Sequence, residues 1–249
     1  MDRKYRYETH LHTSWASACG RSEGHEYLEG YKALGYDGIF VTEHFYLGNT
    51  CIDRDLPWDD WTYQYCQSYY MTKEAGRRAG LKVFFGWEST YGTGEDFLIY
   101  GLDPEWLGRH PEIIRLTQEE QYALVHDEGG LVVQAHPFRE RYYMREIRLH
   151  PNHCDAWEVA NSANEPYQDR LAYEYAKTHG ITMTCGSDIH SVNDLKPGWV
   201  FAMETEKPLD SEKDYVRLIL SGRGFKADFP GERMECKLKE PELPVYWCF

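Results

Sequence analysis

His10-Leu11-His12 near the start of the chain and Asp188-Ile189-His190 far downstream each place two metal-binding side chains at positions i and i+2. Side chains alternate along a strand, so each pair shares one face and can close on one ion, while Leu11 and Ile189 turn to the opposite, apolar side. Three further segments end the same way. Glu43-His44 follows Gly38-Ile39-Phe40-Val41-Thr42, Glu88 follows Val83-Phe84-Phe85-Gly86-Trp87, and His136 follows Leu131-Val132-Val133-Gln134-Ala135. A His or carboxylate at the end of so many apolar runs predicts a polynuclear metal centre at one mouth of an α/β barrel, where strand ends carry chemistry.

A lone His or Glu at a strand end is ordinarily a solvated or hydrogen-bonded residue. The joint pattern differs, because several imidazoles and carboxylates buried together without a cation would face each other in a low-dielectric site.

The order of elements agrees with a barrel. Tyr7 to Leu11 reads as the first strand, with a helix over His25 to Leu34 and a second strand over Gly38 to Thr42. A helix over Asp59 to Ala79 precedes strands at Lys82 to Trp87 and Phe97 to Tyr100. Thr117 and Glu120 have capping-box spacing for a helix that Gly129-Gly130 stops, and strand Leu131 to Ala135 follows. Strands at Ala156 to Ala160 and Thr182 to Cys185 flank a helix over Pro166 to His179, and Ser211 to Leu220 is the last helix. Alternation of this kind predicts right-handed crossovers and a parallel sheet. Residues 1–222 are expected to form one barrel domain. Residues 223–249 form a tail without clear period, which leaves open whether it packs on the barrel or on a second subunit of a homo-oligomer.

The charged start, Met1 to Arg6, has no secretory apolar core, and no apolar run is long enough for a bilayer span, which predicts a cytoplasmic protein with no membrane partner. Seven cysteines without a C-x-x-C read as reduced thiols rather than a disulfide framework. A formal charge of −14 disfavours nonspecific nucleic-acid binding. The run Arg139, Arg141, Arg145 and Arg148 is interleaved with Glu140 and Glu146 and reads as a solvated face.

Six segments occur in the order and approximate spacing of one known family: Thr9-His10-Leu11-His12-Thr13, Val41-Thr42-Glu43-His44, Gly86-Trp87-Glu88, Ala135-His136-Pro137-Phe138, Trp157 to Ser162 and Cys185 to His190. Over residues 7 to about 200 the chain resembles the PHP (polymerase and histidinol phosphatase) family. The resemblance implies a distorted (β/α)7 TIM-like barrel holding two or three divalent ions (zinc, manganese or iron) and hydrolysing phosphoesters. It implies metal ligands at His10, His12, His44, Glu88, His136, Asp188 and His190. By this pattern Glu88 bridges two ions, His10, His12 and Asp188 complete one sphere, His136 belongs to the second, and His44 and His190 to a third.

Two positions depart from the family pattern. Where a His or Asp usually supplies the third ion, residues 16–21 offer only Cys19, whose thiolate suits zinc better than manganese. Asp103 stands where a His often binds the second ion, with Asp96 at the other end of the same strand as its competitor; Asp103-Pro104 also reads as an ordinary strand-exit turn.

The chemistry expected is hydrolysis of a small phosphomonoester, as in histidinol phosphatase, by attack of a metal-bridging hydroxide. Glu88, Asp188 and His190 are the catalytic candidates; His44, His190 or a metal-bound water could serve as leaving-group acid. Arg139 and Arg21 are candidates for gripping phosphate with a planar fork. A phosphodiesterase or nuclease, another metal-dependent hydrolase, and a metal-binding module without turnover are the alternatives.

Overall fold

The computed structural model describes residues 3–249; Met1 and Asp2, part of the charged start, lie outside them. Among the described residues eleven strands form, β1 Tyr5–Glu8, β2 Gly38–His44, β3 Lys82–Thr90, β4 Asp96–Tyr100, β5 Leu131–Gln134, β6 Ile147–Leu149, β7 Ala156–Asn161, β8 Thr182–Gly186, β9 Ala202–Thr205, β10 Phe225–Asp228 and β11 Val245–Trp247. The helices are α1 Gly24–Ala33, α2 Trp58–Ala79, α3 Pro104–Gly108, α4 Gln118–Asp127, α5 Pro166–His179 and α6 Glu212–Ser221.

Strands β1-β2-β3-β4-β5-β7-β8 lie side by side, and a parallel bridge between Leu11 and Ile189 brings the last back to the first, so the sheet is a nearly closed barrel. The i+1 residues of the two metal-type pairs thus stitch the seam. The sheet is not all parallel as the alternation predicted: β4 runs antiparallel to both β3 and β5, and β9 and β10 are antiparallel additions beside β1. The physical reason is connection length. Only Tyr91 to Glu95 join β3 to β4, enough for a hairpin turn but not for a crossover.

Helix boundaries follow local chemistry. Thr117 Oγ1 accepts from Glu120 N at 3.2 Å and Glu120 accepts in return from Thr117 N at 2.8 Å, which is the anticipated capping box of α4. Helix α2 buries Trp61, Tyr65, Ser68, Tyr69, Thr72 and Gly76, a stripe at three- and four-residue spacing, and ends at left-handed Gly80.

Alternation within strands sorts two cores. Ile39, Val41, Val83, Phe85 and Trp87 pack outward with residues of α1 and α2, whereas Phe40, Phe84, Leu98, Val133, Ala156 and Cys185 pack together with Tyr215 and Ile219 of α6. Period two puts Glu88 on the face of Phe84, and Glu158 on the face of Ala156. The tail returns to the barrel: β10 pairs with β9, β11 pairs parallel with β6, and Glu242 N and Leu243 N donate to Glu140 at 2.7 and 2.8 Å.

Candidate metal centre

One rim of the barrel collects the polar strand ends. His10 and His12 follow β1, His44 ends β2, Glu88 lies near the end of β3, Asp96 begins the reversed β4, His136 follows β5, Glu158 lies in β7, and Asp188 and His190 follow β8. Four overlapping groups have ligand atoms close enough for one ion: His10, His12 and Asp188; Glu88, Asp96 and His136; His12, His44 and His190; and His10, His136 and Glu158.

The donor set fits cations, and the hydrogen bonds show why. His10 Nδ1 lies 3.0 Å from Glu158 Oε1, so the single proton of a neutral His10 belongs on Nδ1 and its Nε2 is bare. Ser17 donates its hydroxyl to Glu43 Oε2 at 2.6 Å, so it must accept from His12 Nδ1 at 3.1 Å, and His12 Nε2 is bare as well. These two bare nitrogens sit 3.1 Å apart. Around them stand Glu88 Oε1, 3.3 Å from His10 Nε2, and Asp188 Oδ1, 3.1 Å from His12 Nε2. Convergent lone pairs at this spacing, nearly all buried, repel unless a cation lies between them. Glu88 Oε2 and His44 Nδ1 tell the same story: they approach to 2.6 Å, yet neither has a hydrogen-bond partner.

Charge regulation agrees. Burial opposes every charge here, but without a cation Asp188, Glu158 and Glu88 hold His10, and Glu88 holds His44, well above the ordinary imidazole value, so protons stand where an ion would bind. These imidazoliums, with Arg139, in turn hold Glu88 and Asp188 well below the usual carboxylate range. Asp96 goes the other way, pushed up to about 8 by burial and by the Glu88 carboxylate beside it. A cation shared by the two would remove that conflict.

Backbone conformation is also unusual here. His136 and Asp188 are the non-glycine residues with positive φ among those described, at 30° and 54°, a cost commonly met at functional sites. Gly186 is needed for a different reason. A Cβ there would lie 2.5 Å from His10 Cβ and 2.6 Å from Glu158 Oε1, displacing the pair that sets the His10 tautomer.

The remaining sequence candidates divide. Cys19 borders the same cleft as His44 and His190; burial raises its thiol pKa, but hydrogen bonds with His190 and His44 outweigh this and bring it down to about 6. Asp103 is not at the centre. Because β4 is reversed, its end lies at the opposite rim, and the Asp103 carboxylate caps α3, accepting from Trp106 N at 2.7 Å. Asp96, at the start of β4, takes the place by Glu88 and His136. Arg21 is exposed and outside the cleft lining; only its backbone N–H reaches the site, donating to His190 O at 2.7 Å. Arg139 reaches the centre but is already engaged: Nη1 donates to Asp188 Oδ2 at 2.6 Å, Nη2 to Asn161 Oδ1 at 2.8 Å and Nε to Asn164 Oδ1 at 2.7 Å.

Sequence reasoning passed over Glu158, Ser17 and Asn161. Glu158 and Asn161 lie in the Trp157 to Ser162 segment that carries the family resemblance, and Glu158 also has a period-two position between small Ala156 and Ala160, yet neither was given a role. Above the polar floor opens a cleft of about 650 Å³, bordered by Cys19, His44, Leu47, Asp96, Arg141 and Tyr142 among others.

No protein-family model and no curated protein matches the chain. Solved structures do. A two-domain protein from Bacteroides vulgatus ATCC 8482 containing a predicted PHP-like metal-dependent phosphoesterase aligns at a TM-score of 0.67 and 18% identity, over 91% of this chain and 65% of that one. This chain therefore spans about two thirds of that protein's length. A putative metal-dependent phosphoesterase from Bifidobacterium adolescentis ATCC 15703 aligns at 0.56 and 18% identity, over 87% and 96%. Endonuclease Q, in complex with a duplex carrying an abasic lesion, aligns at 0.55 and 14% identity, over 90% and 58%. The chain has the distorted TIM-barrel fold of PHP-like proteins.

Proposed function

We propose that this PHP-type barrel is a metal-dependent phosphoesterase acting on a small phosphomonoester. The observation that carries the reading is the convergence of bare His10 and His12 nitrogens on Glu88 and Asp188 at the floor of an open cleft. When bound, two or three divalent ions would supply an activated water and neutralise charge on phosphoryl oxygens. The His and carboxylate donors suit zinc, manganese or iron.

The protein's own part is positioning. Glu88 has one oxygen toward His10 and His136 and the other toward His12 and His44, the geometry of a residue shared between two ions. Glu158 and Ser17 keep protons on the far nitrogens of His10 and His12, leaving the near ones as ligands. Arg139 holds Asp188 Oδ2, which leaves Oδ1 for the metal side. Asp96 would complete the sphere of His136, and His44 and His190, with Cys19 beside them, would hold a third ion. A cleft of about 650 Å³ accommodates a compact phosphorylated metabolite, and the net charge of −14 opposes a polyanion.

The test is inorganic phosphate release from a panel of phosphomonoesters after loading with zinc or manganese, beside bis(4-nitrophenyl) phosphate and duplex DNA. Turnover of monoesters, abolished by chelator and reduced at least about 100-fold in Glu88→Gln, is expected. Efficient diester or DNA cleavage with no monoester turnover would replace this reading with a phosphodiesterase, as Endonuclease Q, a neighbour in fold, was solved with duplex DNA.

A further inference from the structure

The loop after β5 carries a feature the metal centre does not use. Arg141 is half-buried at the cleft mouth, and its guanidinium donates only to main-chain oxygens, Nη1 to Glu140 O and Nη2 to Ala163 O, both at 3.1 Å. Among the described residues no carboxylate lies within ion-pair distance of it. Its nearest acidic neighbour in sequence is occupied: Glu140 Oε1 accepts from Glu242 N and Leu243 N, and Oε2 from Tyr167 OH at 2.6 Å. Those bonds also pin the loop to the tail and to α5. Beside Arg141 the rings of Tyr142 and Tyr143 stand 5.4 Å apart at 83°, 99% and 61% exposed, and Leu47 faces the same cleft at 56% exposure. Gly94 of the β3–β4 turn lies close to this pair: a Cβ there would stand 3.2 Å from Met144 Cγ and 3.8 Å from Tyr143 Cε2.

An arginine without an ion-pair partner next to bare aromatic surface, above the polar floor of the cleft, supplies the two parts of a recognition element. Exposed tyrosine faces gain most when a flat apolar body covers them, and a fork-shaped donor without a carboxylate gains most from an external anion. We propose that Arg141, Tyr142 and Tyr143 select a phosphomonoester whose leaving group is a planar aromatic body bearing a second anionic group, which rests on the phosphomonoester reading above. Arg139 cannot take this role, since Asp188, Asn161 and Asn164 already hold its guanidinium. Substrates with a cationic leaving group are disfavoured by the same charge.

Non-hydrolysable analogues test this without turnover. Calorimetric titration of the manganese-loaded protein with 4-carboxyphenylphosphonate and with phenylphosphonate should show the carboxylated ligand binding about tenfold tighter, the scale of one charge-assisted contact at a partly exposed site. In Arg141→Gln that ratio should fall to near one, and in Arg141→Lys to an intermediate value because the fork is lost while the charge remains. In Tyr142→Ala/Tyr143→Ala the preference for phenylphosphonate over methylphosphonate should shrink. Equal binding of the two aryl ligands by the unaltered protein, or an unchanged ratio in Arg141→Gln, overturns the proposal alone. Binding of neither ligand overturns it together with the phosphomonoester reading, whereas a preserved tenfold ratio without phosphate release removes the reaction and leaves the recognition element standing.

Discussion

At the scale of single residues, the centre is a matter of which nitrogen carries a proton. The i, i+2 spacing put His10 and His12 on one face, but their tautomers are set by Glu158, 148 residues away, and by Ser17, whose hydroxyl is committed to Glu43. No pattern in the sequence carries that information, because it depends on two distant carboxylates meeting the same strand ends. Cys19 offers the clearest residue-level prediction. Its pKa of about 6 lies below the ordinary thiol value, so in metal-free protein it is mainly thiolate at pH 7, while burial and Glu43 hold the more exposed Cys51 above its usual value. Thiolate rather than thiol attacks iodoacetamide and displaces iodide. At pH 7, mass spectrometry should find Cys19 alkylated before Cys51, with the Cys19 rate falling to half near pH 6 and zinc giving protection. Faster labelling of Cys51 would show that exposure, not the His44–His190 environment, governs the thiol.

At the scale of elements, strand direction decided the ligand set. The sequence offered Asp96 and Asp103 at opposite ends of one strand, and the five-residue link to β3 forced a hairpin that brings Asp96 to the metal rim. The tail shows a second such dependence. Arg233 donates from Nε to Asp169 at 2.6 Å and from Nη2 to the carbonyls of Asn161 and Asn164 at 3.1 and 2.6 Å, and those two Asn side chains hold Arg139 on Asp188. Asp169 is fully buried; burial pushes its pKa up to about 6, with Arg233 pulling against it. A folded-state value above the ordinary 3.8 means that the native state binds this proton more tightly than the unfolded chain. The resulting stabilisation is complete below about 3.8 and is lost as pH rises through about 6. Arg233→Ala removes the opposing cation, so the loss should deepen toward neutral pH: urea unfolding should show a deficit of about 3–5 kcal/mol at pH 8, from an uncompensated buried carboxylate, and a smaller one at pH 5. A deficit independent of pH would mean that packing, not charge, is what Arg233 contributes.

At the scale of the whole molecule, the barrel concentrates like-charged and lone-pair-bearing groups at one mouth, and its stability should depend on what neutralises them. Ions bound only by the native state stabilise it by about 2.7 kcal/mol per site at a hundredfold excess over Kd. For a domain of this size that corresponds to a Tm about 5–10 °C lower after chelation, recovered on adding zinc or manganese. An unchanged Tm, with no metal detected before chelation, would remove the centre itself. Much of this was legible beforehand: apolar runs ending in His or carboxylate, capping-box and glycine signals, and the paired His10/His12 and Asp188/His190 spacings all follow from local periodicity, which the chain carries residue by residue. What periodicity cannot contain is which distant groups meet. The reversal of β4, the exclusion of Asp103 and Arg21 from the site, the capture of Arg139 by Asp188, and the return of the tail to brace Asn161 and Asn164 were decided by the tertiary structure, because each depends on the direction and closure of the sheet rather than on any short stretch of sequence.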